Sequence, residues 1–167
     1  MLVFYSLPSP FASNPSRLLP LCLHFAALHV DGSVTAWGHP YFGGDTSAVS
    51  TALASDVRQV FSNSFAFAAL RDGGSVVTWG NGIIGGGDSS SVRDKLSSGV
   101  AQIFSNSLAY AALKEDGSVV TWGNAEKGGD SSQVSNQLKS GVIEIFPTAN
   151  AFRFRQLKTT GNKFTFQ

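Results

Sequence analysis

The side chains best suited to chemistry in this 167-residue chain are one cysteine and three histidines near its start: Cys22, His24, His29 and His39. Thiolates and imidazoles bind transition metals, and alternate residues of a strand share a face, so Cys22 and His24 could contact one ion. A structural metal site usually needs a second close-spaced pair, which the sequence lacks. We therefore expect no metal site and no cofactor.

Motifs for catalysis are also missing from the sequence. There is no Gly-x-Ser-x-Gly, and the histidines occur only near the start of the chain. The glycine-rich GIIGGGDSS lacks the Gly-Lys-Ser/Thr ending of a phosphate-binding loop and the acidic spacing of a calcium loop. We interpret each Gly-Gly-Asp as a turn followed by a helix N-cap, with Asp45, Asp88 and Asp130 in that role. The sequence therefore favours a protein that is not an enzyme.

Composition narrows the classes of partner. The formal net charge is +1, so the chain as a whole has too little positive charge to attract nucleic acid or an acidic membrane. The apolar run from Leu18 to Leu28 is shorter than the roughly 20 residues that cross a bilayer. The single cysteine is compatible with a reducing compartment. We expect a cytoplasmic or nuclear protein with neither a membrane nor a nucleic acid as its partner.

The three tryptophans mark an internal repeat. Trp37, Trp79 and Trp122 are 42 and 43 residues apart, each in a phrase like DGSVVTWGN. An aromatic-Ala-Ala-Leu segment precedes each phrase, while Gly-Gly-Asp, a serine-rich piece and a hydrophobic linking run (VRQVFSN, VAQIFSN or VIEIFPT) follow it. We interpret residues 1–21 as a covering segment and residues 22–167 as one repeat domain. Its copies are about 22–63, 64–106 and 107–149, with a partial cap at 150–167.

Each copy is expected to form strands. Asp116 and Gly117 between two apolar runs predict a two-residue type I′ turn, which places Leu113 and Trp122 on one face of the hairpin. With the linking run as a third strand, the fold class is mainly β: tandem three-stranded hairpin repeats of about 42 residues with short helical turns. The predicted turn glycines and the residues predicted to fill the space between copies are Gly32, Gly74, Gly117, Leu28, Leu70, Leu113, Trp37, Trp79 and Trp122.

The two ends of the array are expected to differ. At the carboxyl end, KTTGNKFTFQ aligns with KEDGSVVTWG, placing Thr160 and Gly161 in a turn and a polar face outward, as in a terminal cap. At the amino end, the apolar face of the first copy is to be covered by Leu2, Val3, Phe4, Leu7 and Phe11, or else is a candidate surface for self-association. An apolar face at one end and a polar face at the other favour an open array over a closed ring.

The last 17 residues hold basic side chains and no acid: Arg153, Arg155, Lys158 and Lys163. Two interpretations stay open. They form a patch that binds an acidic protein or a nucleic acid backbone, or they are the solvated face of the cap, whose charge protects an edge strand.

The tryptophan phrase, followed by Gly-Gly-Asp, resembles the repeat of the regulator of chromosome condensation family, and the resemblance covers residues 22–130. It implies a seven-bladed β-propeller that acts as an interaction platform; the founding member promotes nucleotide exchange on a small nuclear GTPase. Here the copies are shorter and fewer, and no segment matches the wedge and loop needed for exchange. We therefore expect a blade-like scaffold for a protein partner. The alternatives are an exchange regulator of a small GTPase or part of a larger propeller.

Overall fold

The computed structural model describes residues 24–156 with their side chains, and the backbone of residues 2–5, 158–160 and 163–165. Nearly all regular structure in these ranges is short strands and single 3₁₀ turns. The strands are β1 (Leu2–Tyr5), β2 (His24–Leu28), β3 (Val34–Gly38), β4 (Val57–Ser62), β5 (Ala66–Arg71), β6 (Val76–Gly80), β7 (Val100–Ser105), β8 (Ala109–Lys114), β9 (Val119–Gly123), β10 (Val142–Thr148), β11 (Ala151–Gln156), β12 (Lys158–Thr160) and β13 (Lys163–Thr165). The 3₁₀ helices are Pro40–Phe42, Ser47–Val49, Asp72–Gly74, Ser90–Leu96, Ala125–Lys127 and Ser132–Val134.

The strands form antiparallel sheets in sequence order, which confirms a mainly β array of hairpin repeats. The first sheet is β1-β2-β3, the second β4-β5-β6 and the third β7-β8-β9. The fourth sheet is β10-β11, and β12 pairs separately with β13. In the second and third sheets, the first strand is the linking run that ends the preceding copy of the repeat. Successive copies are therefore joined because each one contributes a strand to the next sheet.

β1 occupies the position of a linking run in the first sheet. Val3 and Phe4 pair with Ala27 and Ala26, just as Val60 and Phe61 of β4 pair with Ala69 and Ala68 of β5. Residues 2–5, which the sequence suggested as a cover over one face, therefore lie within the plane of the sheet. Leu7 and Phe11 lie outside the described residues.

The predicted hairpin register is wrong by one residue. The Lys114 N–H donates to the Ser118 carbonyl, so the loop has three residues, and of these only Gly117 has a positive φ, of 75°. The third loop residue is a glycine with a positive φ in all three hairpins (Gly32, Gly74 and Gly117). In this loop the Asp116 side chain adds support, because its Oδ1 accepts bonds from the Ser118 N–H and hydroxyl at 2.8 and 2.6 Å. This arrangement is the three-residue hairpin loop with a glycine in the left-handed region, instead of a type I′ turn. The other two hairpins have the same register.

The corrected register pairs each tryptophan with the aromatic residue of the Ala-Ala-Leu segment. Tyr110 lies opposite Trp122, and their rings stack with centroids 5.2 Å apart and an interplanar angle of 17°. Phe67 with Trp79 and Phe25 with Trp37 repeat this contact at 5.1 and 5.4 Å. Leu113 pairs with Val119 and therefore lies on the opposite face from Trp122, contrary to the prediction that they share one.

The hydrophobic core consists of side chains that pack between successive sheets. One face of the second sheet, with Ala68 and Leu70, packs against the aromatic face of the third, with Tyr110 and Trp122. The same arrangement joins the first sheet to the second and the third to the fourth. The second and third sheets therefore each offer an alanine–leucine face to the next sheet and an aromatic–tryptophan face to the preceding one, whereas the fourth sheet packs Phe152 and Phe154 against the third.

The buried indoles also donate hydrogen bonds to the preceding unit. Trp79 Nε1–H donates to the Gly43 carbonyl at 3.0 Å, and Trp122 Nε1–H to the Gly86 carbonyl at 3.1 Å. Both side chains are nearly inaccessible, at 4% and 3%, whereas Trp37 of the first sheet is 43% exposed. The glycine-rich loops therefore have a structural role, because they supply the carbonyl that the next tryptophan requires.

On the fourth sheet, the face that points away from the third sheet has a different composition from the corresponding faces of the other sheets. The pairing of Phe146 with Arg153 and of Glu144 with Arg155 corresponds to Phe104 with Ala111 and Gln102 with Leu113 in the third sheet. Arginines therefore replace the alanine and the leucine. Arg155 forms a 2.7 Å ion pair with Glu144, and Phe146 is 44% exposed. Among the described residues, this face therefore carries two arginines and a glutamate beside the exposed Phe146 ring.

In the pairing of β12 with β13, Thr160 lies opposite Lys163. Thr160 is therefore in the ladder and not in the turn where the sequence alignment placed it. The polar cap face predicted from Lys158 and Lys163 lies outside the described side chains.

The tryptophans should contribute unequally to stability. Trp79→Phe and Trp122→Phe each leave a buried glycine carbonyl without its donor, so the free energy of unfolding should fall by about 1–3 kcal/mol. Trp37→Phe should cost less than about 0.5 kcal/mol, because its indole is partly solvated. Urea denaturation of the three variants measures the difference. An equal loss in all three would contradict this packing.

Candidate interaction surface

The aspartates predicted as caps lie one residue before the 3₁₀ N-caps, which are Thr46, Ser89 and Ser131. Each accepts a hydrogen bond on Oδ1 from the backbone N–H two residues later, at 2.8–2.9 Å. This backbone hydrogen bond is the main cause that lowers the pKa of Asp45, Asp88 and Asp130 below the ordinary value. The predicted turn glycines, Gly32, Gly74 and Gly117, all have positive φ.

The histidines lie in three different environments. His24 is buried with its ring 5.0 Å from that of Phe67, and His39 Nδ1 accepts a bond from the Tyr41 N–H at 3.2 Å. His29 Nε2 lies 2.9 Å from the Thr35 hydroxyl. Within the described ranges, no three His, Cys, Asp or Glu residues come close enough to hold a metal ion, and Cys22 lies outside these ranges.

The basic residues predicted to bind a partner are only partly placed. Arg153 and Arg155 are two residues apart on β11 and share the face that also carries Glu144 and Phe146. The ion pair with Glu144 neutralises Arg155, while Arg153 is exposed. Lys158 and Lys163 lie on β12 and β13, and their side chains are not described. Binding of an acidic partner at these residues stays a prediction.

An apolar surface that the sequence analysis missed lies on the loops that follow the tryptophan strands. Tyr41, Ile83 and Ile84 are 55%, 83% and 40% exposed. The corresponding positions of the third loop hold Glu126 and Lys127. We call the set Tyr41, Phe42, Phe65, Ile83 and Ile84 the apolar ridge.

Aromatic contacts link the part of the ridge on the first unit to Phe65 of the second unit. The Phe42 ring is 5.6 Å from that of Tyr41 and 5.3 Å from that of Phe65, which precedes β5 of the second sheet. The ridge therefore joins two adjacent repeats.

Asparagine side chains hold these loops in place. Asn81 Oδ1 accepts bonds from the Ile83 and Ile84 N–H groups at 3.0 and 2.7 Å. Asn63 Nδ2 donates to the Gly85 carbonyl at 2.6 Å, and its Oδ1 accepts from the Phe65 N–H at 2.9 Å. Both asparagines are buried, so hydrogen bonds fix the backbone under the exposed side chains.

The sequence did contain a signal for this surface. The second loop reads NGIIGGGD where the third reads NAEKGGD, with one inserted glycine, a glycine in place of Ala, and two isoleucines in place of Glu and Lys. Isoleucine in an exposed glycine-rich loop departs from the usual polarity of turns. A comparison of the copies position by position would have identified it.

Comparison with known proteins yields similarities to solved structures. Neither a protein-family model nor a curated protein matches the chain. One similar structure is human WBSCR16, with 21% identity and a TM-score of 0.40, covering 60% of this chain and 32% of that one. Another is yeast RCC1 (Prp20) bound to Kap60, with 18% identity, a TM-score of 0.49 and coverages of 83% and 34%. A third is Prp20p from Saccharomyces cerevisiae, studied with its binding to Gsp1p and histones, with 17% identity, a TM-score of 0.48 and coverages of 80% and 42%.

The chain thus spans less than half the length of each of these proteins. Two of the three structures are of RCC1, which bears the name of the family that the tryptophan phrase resembles. Across the described ranges, no helix has the length and apolar character needed to cross a membrane.

Stability should depend on the loop aspartates in acid. Their pKa values are lowered in the folded state, so their stabilisation is present above the ordinary aspartate range and is lost as the pH falls through the folded values. The melting temperature should therefore decline below about pH 4. Asp45→Asn/Asp88→Asn/Asp130→Asn should show a smaller decline between pH 6 and pH 3 in thermal melts.

The matched control is Asp94→Asn. Asp94 is exposed in the Ser90–Leu96 turn, and its carboxylate accepts no hydrogen bond within the described residues. This variant should keep the acid sensitivity of the original chain. A triple variant as acid-sensitive as the control would show that the turn hydrogen bonds do not set the dependence.

Proposed function

We propose that this chain is a non-catalytic repeat module that binds a protein partner through the apolar ridge. The observation that carries the proposal is the exposure of Tyr41, Ile83 and Ile84 on loops whose backbone is fixed by hydrogen bonds. Contiguous exposed apolar surface on a folded protein commonly marks an interaction site.

The energetics of the ridge favour binding. Complete burial of a fully exposed large aliphatic side chain contributes about 1.5–3 kcal/mol. Ile83, which is 83% exposed, still offers most of this to a complementary surface, and Ile84, which is 40% exposed, offers a smaller part. Asn81 already orders the backbone of both residues, and a partner would not have to order it again. Exposed residues on ordered loops are therefore well suited to be the centre of an interface.

The stacking of the sheets gives the surface its spacing. Sheets packed face to face are about 10 Å apart, so the three loops present their side chains at intervals of about this size. A partner that follows the loop edge would meet Tyr41, then Ile83 and Ile84, and then Glu126 and Lys127. We expect its surface to be apolar opposite the first two loops and charged opposite the third.

The test compares two variants in affinity capture with quantitative mass spectrometry. Ile83→Ser/Ile84→Ser removes the second loop's part of the ridge without touching the residues that order the backbone. Val30→Ser is the control, because Val30 is fully exposed in the hairpin loop after β2, away from the ridge. Partners of the original chain should be recovered at about tenfold lower levels with the ridge variant, a loss of about 1.4 kcal/mol, and unchanged with the control. Equal recovery by all three proteins would reject the proposal.

A further inference from the structure

A groove runs between the first and second units and follows the whole of edge strand β6. A cavity of about 400 Å³ is lined by Val76, Val77 and Thr78 on one side, and a second of about 300 Å³ continues along Thr78, Trp79 and Gly80. Both cavities share Ala48 and Val49 on the opposite side. At about 3.4 Å per residue, the five residues of β6 make this groove about 17 Å long.

The shape favours an extended occupant over a compact one. β6 is the last strand in its sheet order, and its Thr78 hydroxyl bonds to the Gly87 carbonyl and lies 2.9 Å from the Ser89 hydroxyl. An extended peptide would therefore lie along this edge, between the segment that starts at Gly87 and Ala48 and Val49, with alternate side chains toward the groove. Groove length and strand direction therefore fit a segment of about five residues.

Charges are distributed unevenly along the groove. Asp45 lines the part beside Trp79 and Gly80, near Tyr41 of the apolar ridge, whereas Arg93 lines the part beside Val76 and Val77 together with Asp88. Arg93 is exposed and forms no ion pair with any residue that the structure describes. The groove thus offers the Arg93 cation, with Asp88 in the same cavity, at one end and the Asp45 carboxylate at the other.

Small side chains on the first unit keep the groove open. Ala48 and Ala52 lie in the segment SAVSTAL, which corresponds to SQVSNQL in the third unit, where Gln133 and Gln137 take their places. In the second unit the same two positions hold Ser91 and Lys95. The residues that would fill the groove are therefore ones that this repeat already accepts at these positions.

We propose that this groove binds an extended peptide segment of a partner protein, about five residues long, with a carboxylate side chain for Arg93 and a basic side chain toward Asp45. Short apolar side chains between the two charges would lie against Ala48 and Val49. The inference rests on the proposed function, since the groove opens beside Tyr41 of the ridge. It adds to that function the charges and side-chain sizes that the partner segment should have.

In the experiment, random octapeptides displayed on phage are selected for binding to the full chain. Counter-selection uses the filled variant Ala48→Gln/Ala52→Gln. Enriched peptides should carry an acidic and a basic residue separated by about three to five positions. Fluorescence anisotropy should show about tenfold weaker binding of the synthetic peptides to the filled variant and to Arg93→Ser, the residue present at the third unit's equivalent position. Arg93→Glu should prefer peptides whose acidic residue is replaced by lysine.

The matched control is Ser91→Gln, which introduces the same side chain at the equivalent of Ala48 in the next unit, outside the groove. Its peptide affinity should equal that of the original chain. The inference is overturned if no peptide is enriched over the filled variant, or if the enriched peptides bind both equally well.

The two proposals fail in different ways. If Ile83→Ser/Ile84→Ser loses the captured partners while the filled variant binds peptides normally, the ridge function stands and the groove does not. If filling the groove abolishes peptide binding while the isoleucine variant captures every partner, the ridge is rejected and the groove stands.

Discussion

The structure depends on one contact between successive sheets, in which a stacked aromatic–tryptophan pair packs on the alanine–leucine face of the preceding sheet. Trp122 on Tyr110 is the clearest example, since the indole donates to the Gly86 carbonyl and the Tyr110 hydroxyl donates to the Ala66 carbonyl at 2.6 Å. Burial raises the pKa of Tyr110 well above its ordinary value, so this hydroxyl stays a donor. Large apolar area and satisfied polar atoms together fix the spacing of the units.

The same contact constrains the glycines. At Gly87 a Cβ would lie 2.5 Å from the Gly80 carbonyl oxygen, so the loop can lie this close to the end of β6 only without a side chain. The position of each loop is thus set by the backbone, and its tip is left free to vary. Loops with the same backbone position can therefore carry exposed apolar side chains, as at Tyr41 and Ile83, or a charged side chain, as at Glu126. In this way a structural repeat can carry a binding surface that differs from unit to unit.

The repeat, its strands and the positions of the tryptophans follow from the sequence because periodic residues must meet the same environment in each unit. The hairpin register does not, because an Asp-Gly pair fits both a two-residue and a three-residue loop. The second hairpin has the three-residue loop even with Gly73 at the position of Asp116. The role of β1 was hidden because its strand is separated from β2 by residues 6–23. Hydrophobic periodicity does not show which loop side chains are exposed, so it does not predict the apolar ridge. The groove was not predicted because it depends on the small volume of Ala48 and Ala52.

The most direct test of the sheet-to-sheet contact is hydrogen exchange at the three indole N–H groups, followed by ¹⁵N NMR and assigned with single tryptophan-to-phenylalanine variants. Trp79 and Trp122 should exchange slowly, because each N–H is buried and bonded to a glycine carbonyl. Trp37, which is 43% exposed, should exchange much faster. Equal and rapid exchange at all three indoles would contradict the stacking on which the account depends.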